Sequence, residues 1–242
     1  MSSNVKTFIF AIVMCLVCSF VLTSAVTLLR DRQQQNVIVD KQKNILKSLF
    51  LLEPNQKYTS NDIVRLYTEN VQDKFMLPSG ELSDTSDNGA NLPVYVVYAA
   101  DGQISQYAMP ISGYGLWSWI YGFFALEGDG NTVLGITFYQ HGETPGLGGE
   151  VEKDWFQSQF KGKKIVDESG ELVSIDIVKG KAKDVAPNRL EHAVDGISGA
   201  TITAAGVRDF LKTDLLKYEP LSSRLRQADE AAHSTSELEA TL

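Results

Sequence analysis

Two short segments of the sequence hold residues suited to gripping or carrying a small molecule. The first is Gly142-Glu143-Thr144-Pro145-Gly146-Leu147-Gly148-Gly149. Gly146, Gly148 and Gly149 let the backbone approach a ligand closely, while Pro145 fixes one turn and holds Thr144 extended. N–H groups left free by such a loop would meet carbonyl oxygens or ring nitrogens of a planar cofactor, with Leu147 against its face. By spacing alone the segment reads as a glycine-rich strand-to-helix loop, because it matches neither G-x-G-x-x-G nor the P-loop.

The second segment is Asp195-Gly196-Ile197-Ser198-Gly199-Ala200-Thr201-Ile202-Thr203. Small residues and hydroxyls opening a helix make a phosphate site: unpaired N–H groups and the dipole favour an anion, and little bulk stands in its way. The plainer alternative is an ordinary Ser/Thr N-cap. Gly196-Ile197-Ser198-Gly199-Ala200 also falls one residue short of the hydrolase elbow G-x-S-x-G. Ala200 replaces the last glycine and His192–Asp195 makes a poor core strand, so hydrolase chemistry is disfavoured. Cys15 and Cys18 both fall in the first apolar run, where they read as two small residues on a membrane helix. With His141, His192 and His233 scattered, the sequence offers no Cys-ligated or His-rich metal site. Asp plus Glu number 30 against 22 Lys plus Arg, with no basic block, which argues against nucleic acid as a partner.

These segments need a scaffold, and 242 residues, 43% hydrophobic, are enough for a packed core. Val133–Tyr139 reads as the strand into the first segment and Trp155–Phe160 as a helix after it. Residues 203–217, with Val207, Phe210, Leu211 and Leu215 on one face, read as the helix opened by the second. Upstream, Pro93–Tyr98 reads as a strand and Asp101-Gly102 as a hairpin turn into Gln103–Met109. Gly113–Gly122 sets aromatic residues between glycines ahead of Phe123–Leu126. Thr59-Ser60-Asn61-Asp62 caps a helix to about Val71, residues 78–91 form a turn-rich loop, and Ile165-Val166 and Val173–Val178 are further strands. Strands grouped between helices give an α+β domain.

Residues 7–29 carry no charge and, at 1.5 Å per residue, reach about 34 Å, enough to cross a hydrocarbon core of about 30 Å. A signal peptide cleaved after Thr23-Ser24-Ala25 is the alternative, weakened because Val26, Leu28 and Leu29 extend the apolar run to Arg30. The expected layout is a short segment over 1–6, a transmembrane helix over 7–29 and a juxtamembrane helix over 30–53 stopped by Pro54. A domain over 54–220 and an acidic, flexible tail over 221–242 complete it. Arg30, Arg32, Lys41, Lys43 and Lys47 would put the domain in the cytoplasm by the positive-inside rule, which long domains escape.

Glu143-Thr144-Pro145-Gly146-Leu147-Gly148 and Asp195-Gly196-Ile197-Ser198-Gly199-Ala200-Thr201, in that order behind one span, resemble the two signatures of a known family. It is the FMN-binding domain family shared by the C subunit of the sodium-translocating NADH:quinone oxidoreductase and the G subunit of the Rnf electron-transport complex. The resemblance runs from the N-terminal span to about residue 217. Gly115-Leu116-Trp117-Ser118-Trp119-Ile120-Tyr121-Gly122-Phe123 looks like the quinone-reductase branch's Gly-Leu-Trp-Ser-x-x-Tyr-Gly segment, and Trp155 with Phe160, Gly162 and Lys163 also fits.

The resemblance implies an α+β fold: one N-terminal transmembrane helix, then a single FMN-binding domain of antiparallel strands flanked by helices. It implies FMN joined covalently by a phosphoester to Thr201, with Ser198, Gly199 and Ala200 giving a flavin transferase its small approach. Glu143, Thr144, Gly146, Leu147 and Gly148 would line the isoalloxazine ring, and Asp195 would serve transferase recognition. No residue would be a catalytic acid or base. The chain would relay electrons, between a membrane iron–sulfur centre and the next flavin, inside a sodium-transporting NADH:ubiquinone reductase. It would not be catalytic alone, and NADH would bind another chain, since no dinucleotide fingerprint is present. Implied partners are the other subunits, the flavin transferase and membrane lipid. The implied location is the bacterial inner membrane with a periplasmic domain, against the charge count. The alternatives are the Rnf G subunit and a cofactor-free, membrane-anchored assembly protein.

Overall fold

The computed structural model describes residues 3–53, 56–87 and 90–240. Its first element, α1, is one helix over Ser3–Ser48. Arg30–Ser48 contains neither glycine nor proline, so nothing breaks the hydrogen-bond ladder where the charges begin. The expected juxtamembrane helix over 30–53 is therefore corrected: it continues the apolar helix and stops at Ser48. Phe8, Phe20 and Leu28 on its apolar stretch are exposed, as lipid-facing side chains would be. By contacts, residues 1–40 form one unit and residues 41–242 another. The helix ends in a Schellman closure, with Phe50 N donating to Lys47 O (3.2 Å) and Leu51 N to Leu46 O (2.9 Å). Phe50 takes the left-handed position, φ 54°, where glycine is usual. Its ring lies 4.0 Å from Lys161 Nζ. Pro54, the expected stop, lies outside the described residues, as do Asn88 and Gly89 of the turn-rich loop.

Helix α2 (Ser60–Asn70) starts at a reciprocal cap: Asp62 N donates to Thr59 Oγ1 (3.3 Å) and Thr59 N to Asp62 Oδ2 (3.0 Å). Six antiparallel strands follow: β1 (Gln72–Met76), β2 (Leu82–Ser83), β3 (Leu92–Tyr98), β4 (Ile104–Tyr114), β5 (Trp119–Glu127) and β6 (Val133–Gln140). They pair in the order β2-β1-β3-β4-β5-β6. Both faces of β5 are buried. Phe124 pairs with Ile136 on the face of the main core, while Phe123 and its partner Thr137 turn to the other face. There Phe123 stacks on Tyr139 at 5.3 Å and meets Tyr95 edge-on at 5.6 Å. The last turns of α1 cover that second face, where Thr137 Oγ1 donates to Asn44 O (3.2 Å) and Ile45, Leu46 and Leu49 are buried.

Strand β4 outruns β3: its pairing with β3 ends at Ala108, while its pairing with β5 continues to Tyr114. The freed edge tolerates Pro110, which has no N–H to offer a ladder. Helix α5 (Thr201–Ala240) crosses at this edge, where the orphan Ser112 N donates to the buried Asp214 carboxylate (2.7 Å). Two glycines permit the approach. A Cβ on Gly113 would stand 2.2 Å from Phe210 Cβ, and one on Gly206 would stand 2.4 Å from Tyr114 O.

The expected flexible tail from Leu221 is also corrected. Helix α5 continues through Pro220; Leu221 and Ser222 are buried, Ser222 Oγ lies 2.8 Å from the buried Tyr107 hydroxyl, and Arg226 donates to Gly130 O (3.0 Å). Over residues 221–226 the composition is polar because one helix face is solvated, while the other packs. Between β6 and α5 the chain is mostly turns, with two short helices, α3 (Asp154–Gln157) and α4 (Ala182–Val185). The strands expected at Ile165-Val166 and Val173–Val178 shrink to a bridge, Val166 to Leu172, and to β7 (Asp176–Ile177), which pairs in parallel with β8 (Ala193–Val194). Ile165, Val166, Ile175 and Ile177 are buried all the same: their apolar character reported burial, and the ladder did not follow.

Candidate functional site

Helix α5 begins without a side-chain cap. Its first intrahelical bond runs from Ala204 N to Ala200 O, so Ala200 occupies the N-cap position and has no side-chain oxygen to close the first turn. Thr201 stands at the first helical position. Among the described residues, neither its hydroxyl nor that of Ser198 makes a hydrogen bond to protein, and both residues are exposed. Gly199, at φ 75°, turns the chain into the helix, and a Cβ there would stand 2.8 Å from Leu147 Cδ2. Ala200 is buried in the core, which leaves no room for a larger side chain.

A cleft of about 690 Å³ opens beside this helix start. Its walls include Gly146, Trp155, Ile177, Ser198, Gly199 and Thr201, together with Lys179, Lys181 and Arg208. Helix dipole, unpaired N–H groups and three lining cations, against the two lining carboxylates Glu150 and Asp195, suit the cleft to an anion. Ile177, Ile197 and the half-exposed Trp155 give apolar surface, and Trp155 Nε1 is held by Glu150 Oε2 at 2.8 Å. An exposed hydroxyl, an uncapped helix start and a roomy, partly apolar cleft fit a phosphate-bearing aromatic cofactor.

Glu143 joins the two segments from behind. It is buried, and its carboxylate accepts from Thr203 Oγ1 (2.7 Å), Trp117 N (2.9 Å) and Ser118 N (3.2 Å). Burial opposes its ionisation, but these bonds and one from the Leu116 amide outweigh it and hold the carboxyl below the usual glutamate value of 4.5. Gly148 and Gly115 leave space for that carboxylate: a Cβ on either would stand 2.6 Å from one of its oxygens. Glu143 thus ties the β4–β5 turn and the glycine-rich loop to the first turn of α5.

Of the residues expected at the site, Gly146, Ser198, Gly199, Thr201 and Asp195 line the cleft. Glu143, Thr144, Leu147, Gly148 and Ala200 are not among its lining residues. Leu147 is exposed beside Gly199, Thr144 is exposed, and Glu143, Gly148 and Ala200 lie behind the surface. Asp195 Oδ1 accepts from Ala182 N (2.8 Å). Lys179, Lys181 and Arg208 were missed. The alternation Lys179-Gly180-Lys181 is a faint signal in an acidic chain, and nothing local ties it to residues 195–201. The elbow reading loses one argument and keeps the other. Ala193–Val194 is a short, buried strand, contrary to expectation, but six residues separate it from α5. His192 Nδ1 bonds Lys164 O (2.7 Å) and His141 Nε2 faces Glu152 (3.4 Å), so neither serves Ser198 as a base.

Residues 115–215 match the model of the FMN-binding domain family. The C subunit of the Na(+)-translocating NADH-quinone reductase of Yersinia pestis is 37% identical over 84% of this chain and 85% of its own length. The corresponding C subunit of Pseudomonas aeruginosa is 36% identical over 94% of this chain and 98% of its own. The crystal structure of the C subunit from Parabacteroides distasonis is 36% identical and superposes with a TM-score of 0.67, covering 80% of this chain and 96% of that one. NqrC of Shewanella oneidensis superposes with a TM-score of 0.66 at 25% identity, over 81% of this chain and 99% of that one.

Proposed function

Because the chain belongs to the family of C subunits of the sodium-translocating NADH–quinone reductase, we propose that it carries FMN through a phosphoester to Thr201 and relays electrons between redox centres of that complex. It is an FMN-binding subunit of an oxidoreductase assembly, and other subunits are its partners. The observation that supports covalent attachment most directly is the state of Thr201. Its hydroxyl is exposed and unbonded, at a helix start with no cap, on the rim of a cleft wide enough for a flavin.

FMN held there supplies reversible electron transfer through its ring. The chain's own residues bind and orient. Thr201 anchors, Ser198 and Gly199 keep the approach open, Gly146 and Leu147 border the ring's side, and Glu143 with Gly148 fixes the geometry from behind. A tether through the phosphate leaves the ring unmodified. Attachment by a flavin transferase and a periplasmic domain in the inner membrane belong to the same proposal, as does α1 as a single-pass anchor in lipid.

The test is the intact mass of the full chain purified from membranes that contain the transferase, together with in-gel flavin fluorescence. The expected product is heavier by one FMN less a water and fluorescent, and Thr201→Ala abolishes both signals. An unmodified, dark wild type would favour the cofactor-free anchor. Orientation is read with Ser79→Cys, an exposed site in a chain whose own cysteines, Cys15 and Cys18, lie in the span. A membrane-impermeant maleimide should label it in spheroplasts.

A further inference from the structure

We propose that Lys179, Lys181 and Arg208 form a cationic wall that holds the phosphoryl oxygens of the flavin nucleotide at Thr201, and that Asp195 and Gly196 act by positioning that wall. The proposal rests on the reading of Thr201 as the attachment residue. Thr201, Ala204, Ala205 and Arg208 follow one another at helical spacing, so they share a face of α5, and the two alanines leave a groove between hydroxyl and guanidinium. The same cleft is lined by Lys179 and Lys181, both exposed, with no acidic partner among the described residues. Arg208 shares its guanidinium with the exposed Asp209 (2.8 Å), one residue along.

Three cations meeting at one cleft are unusual in a chain of net charge −8. The acidic residues that line the cleft are Glu150 and Asp195, and both carboxylates are engaged, with Trp155 Nε1 and with Ala182 N. Those carboxylates keep their charge, so the preference for an anion rests on Lys179 and Lys181, which have no acidic partner among the described residues, and on the free N–H groups of the helix start.

The first two residues of the 195–201 segment touch the lysine loop. Ala182 N donates to Asp195 Oδ1 (2.8 Å), Gly196 N donates to Gly180 O (2.9 Å), and Val178 N donates to Val194 O (3.1 Å). A Cβ on Gly196 would stand 2.1 Å from Val178 O, so only glycine lets the loop lie this close. The backbone that carries Lys179 and Lys181 is thus held on both sides, by two backbone bonds to residues 194 and 196 and by the Asp195 carboxylate. What the loop requires of residue 195 is an acceptor oxygen, which asparagine also has; it does not require the charge.

Two measurements on the full chain in detergent test this. In the Thr201→Ala chain, which cannot be modified at that residue, non-covalent FMN and riboflavin are compared by flavin fluorescence at low salt. FMN should bind about tenfold more tightly, a modest sum for partly exposed charges and a helix end. Adding Lys179→Gln and Lys181→Gln should cut the preference to about twofold with riboflavin unchanged, and rising salt should narrow it. No preference for FMN, including no binding of either flavin, or a preference unmoved by the double substitution, overturns the wall.

Second, initial rates of flavin incorporation during co-expression with the transferase should fall about tenfold in Lys179→Gln/Lys181→Gln and in Asp195→Ala. Asp195→Asn should stay within twofold of wild type. An asparagine variant as impaired as the alanine one would mean that the carboxylate charge itself is read, and the positioning role fails. If the wild-type chain acquires no flavin, the attachment reading fails first; a modified wild type with unmoved variants sinks this inference alone.

Discussion

Glu143→Ala should destabilise the domain severely, and the structure says by how much. The substitution strips an acceptor from Thr203 Oγ1, Trp117 N and Ser118 N. Hydrogen bonds to a charged group contribute about 1.5–3 kcal/mol each. Trp117 is 65% exposed and Ser118 half-buried, so their amides recover water in the space the side chain leaves, whereas Thr203, 1% exposed, does not. The net cost is then about 3 kcal/mol, or roughly 6–12 °C in thermal midpoint for a domain of this size. Glu143→Gln keeps one acceptor oxygen but turns an NH₂ toward a donor, for about half that loss. The assay is thermal unfolding of the full chain in detergent, followed by tryptophan fluorescence. Acidification supplies the sign. The Glu143 carboxyl titrates below its usual 4.5 in the fold, so its contribution is full above that value and drains away as pH falls through the lower folded one. The gap between wild type and Glu143→Gln should therefore close below about pH 4.5. Midpoints of wild type and Glu143→Ala within about 2 °C at neutral pH, or a gap that widens in acid, would refute the brace.

Gly148→Ala should reproduce part of the Glu143 defect, about 1–3 kcal/mol by thermal unfolding, because its methyl would meet Glu143 Oε2 and Thr203 Oγ1 at 2.6 Å. Truncation before Leu221 should lower the midpoint by at least about 6 °C, since it removes the buried Leu221 and Ser222 and the Tyr107 bond. Thr201→Ala should abolish flavin while shifting stability by less than about 0.5 kcal/mol, because the side chain is exposed and makes no hydrogen bond among the described residues. Gly206→Ala, aimed at Tyr114 O from 2.4 Å, should lift α5 from β4 and lower both stability and flavin incorporation, read by melting and in-gel fluorescence.

That residues 195–203 open a helix was legible because the signal is local: a glycine that turns the chain and small residues with hydroxyls need no distant partner to start a helix. The long apolar run, the Thr59 cap and the hairpin at Asp101-Gly102 were legible for the same reason, each being decided within a few residues. Glu143 was not. Its letter fits a ligand-binding loop equally well, and only the fold turns its carboxylate inward to the Thr203 hydroxyl and the amides of the β4–β5 turn. Lys179 and Lys181 became part of the site only once the parallel pairing of β7 with β8 set their loop against residues 194–196. The same holds for the tail, whose polar composition hid a helix packed through Leu221, and for α1, whose charges at Arg30 marked the end of the apolar run and not the end of the helix. Sequence alone determined that small residues and hydroxyls open a helix after Asp195, since propensity and backbone freedom act over a single turn; only the structure showed that Ala200 leaves that helix start uncapped. Tertiary structure decided which charges face those hydroxyls and which are buried as braces, because electrostatics and packing join residues that the chain order keeps apart.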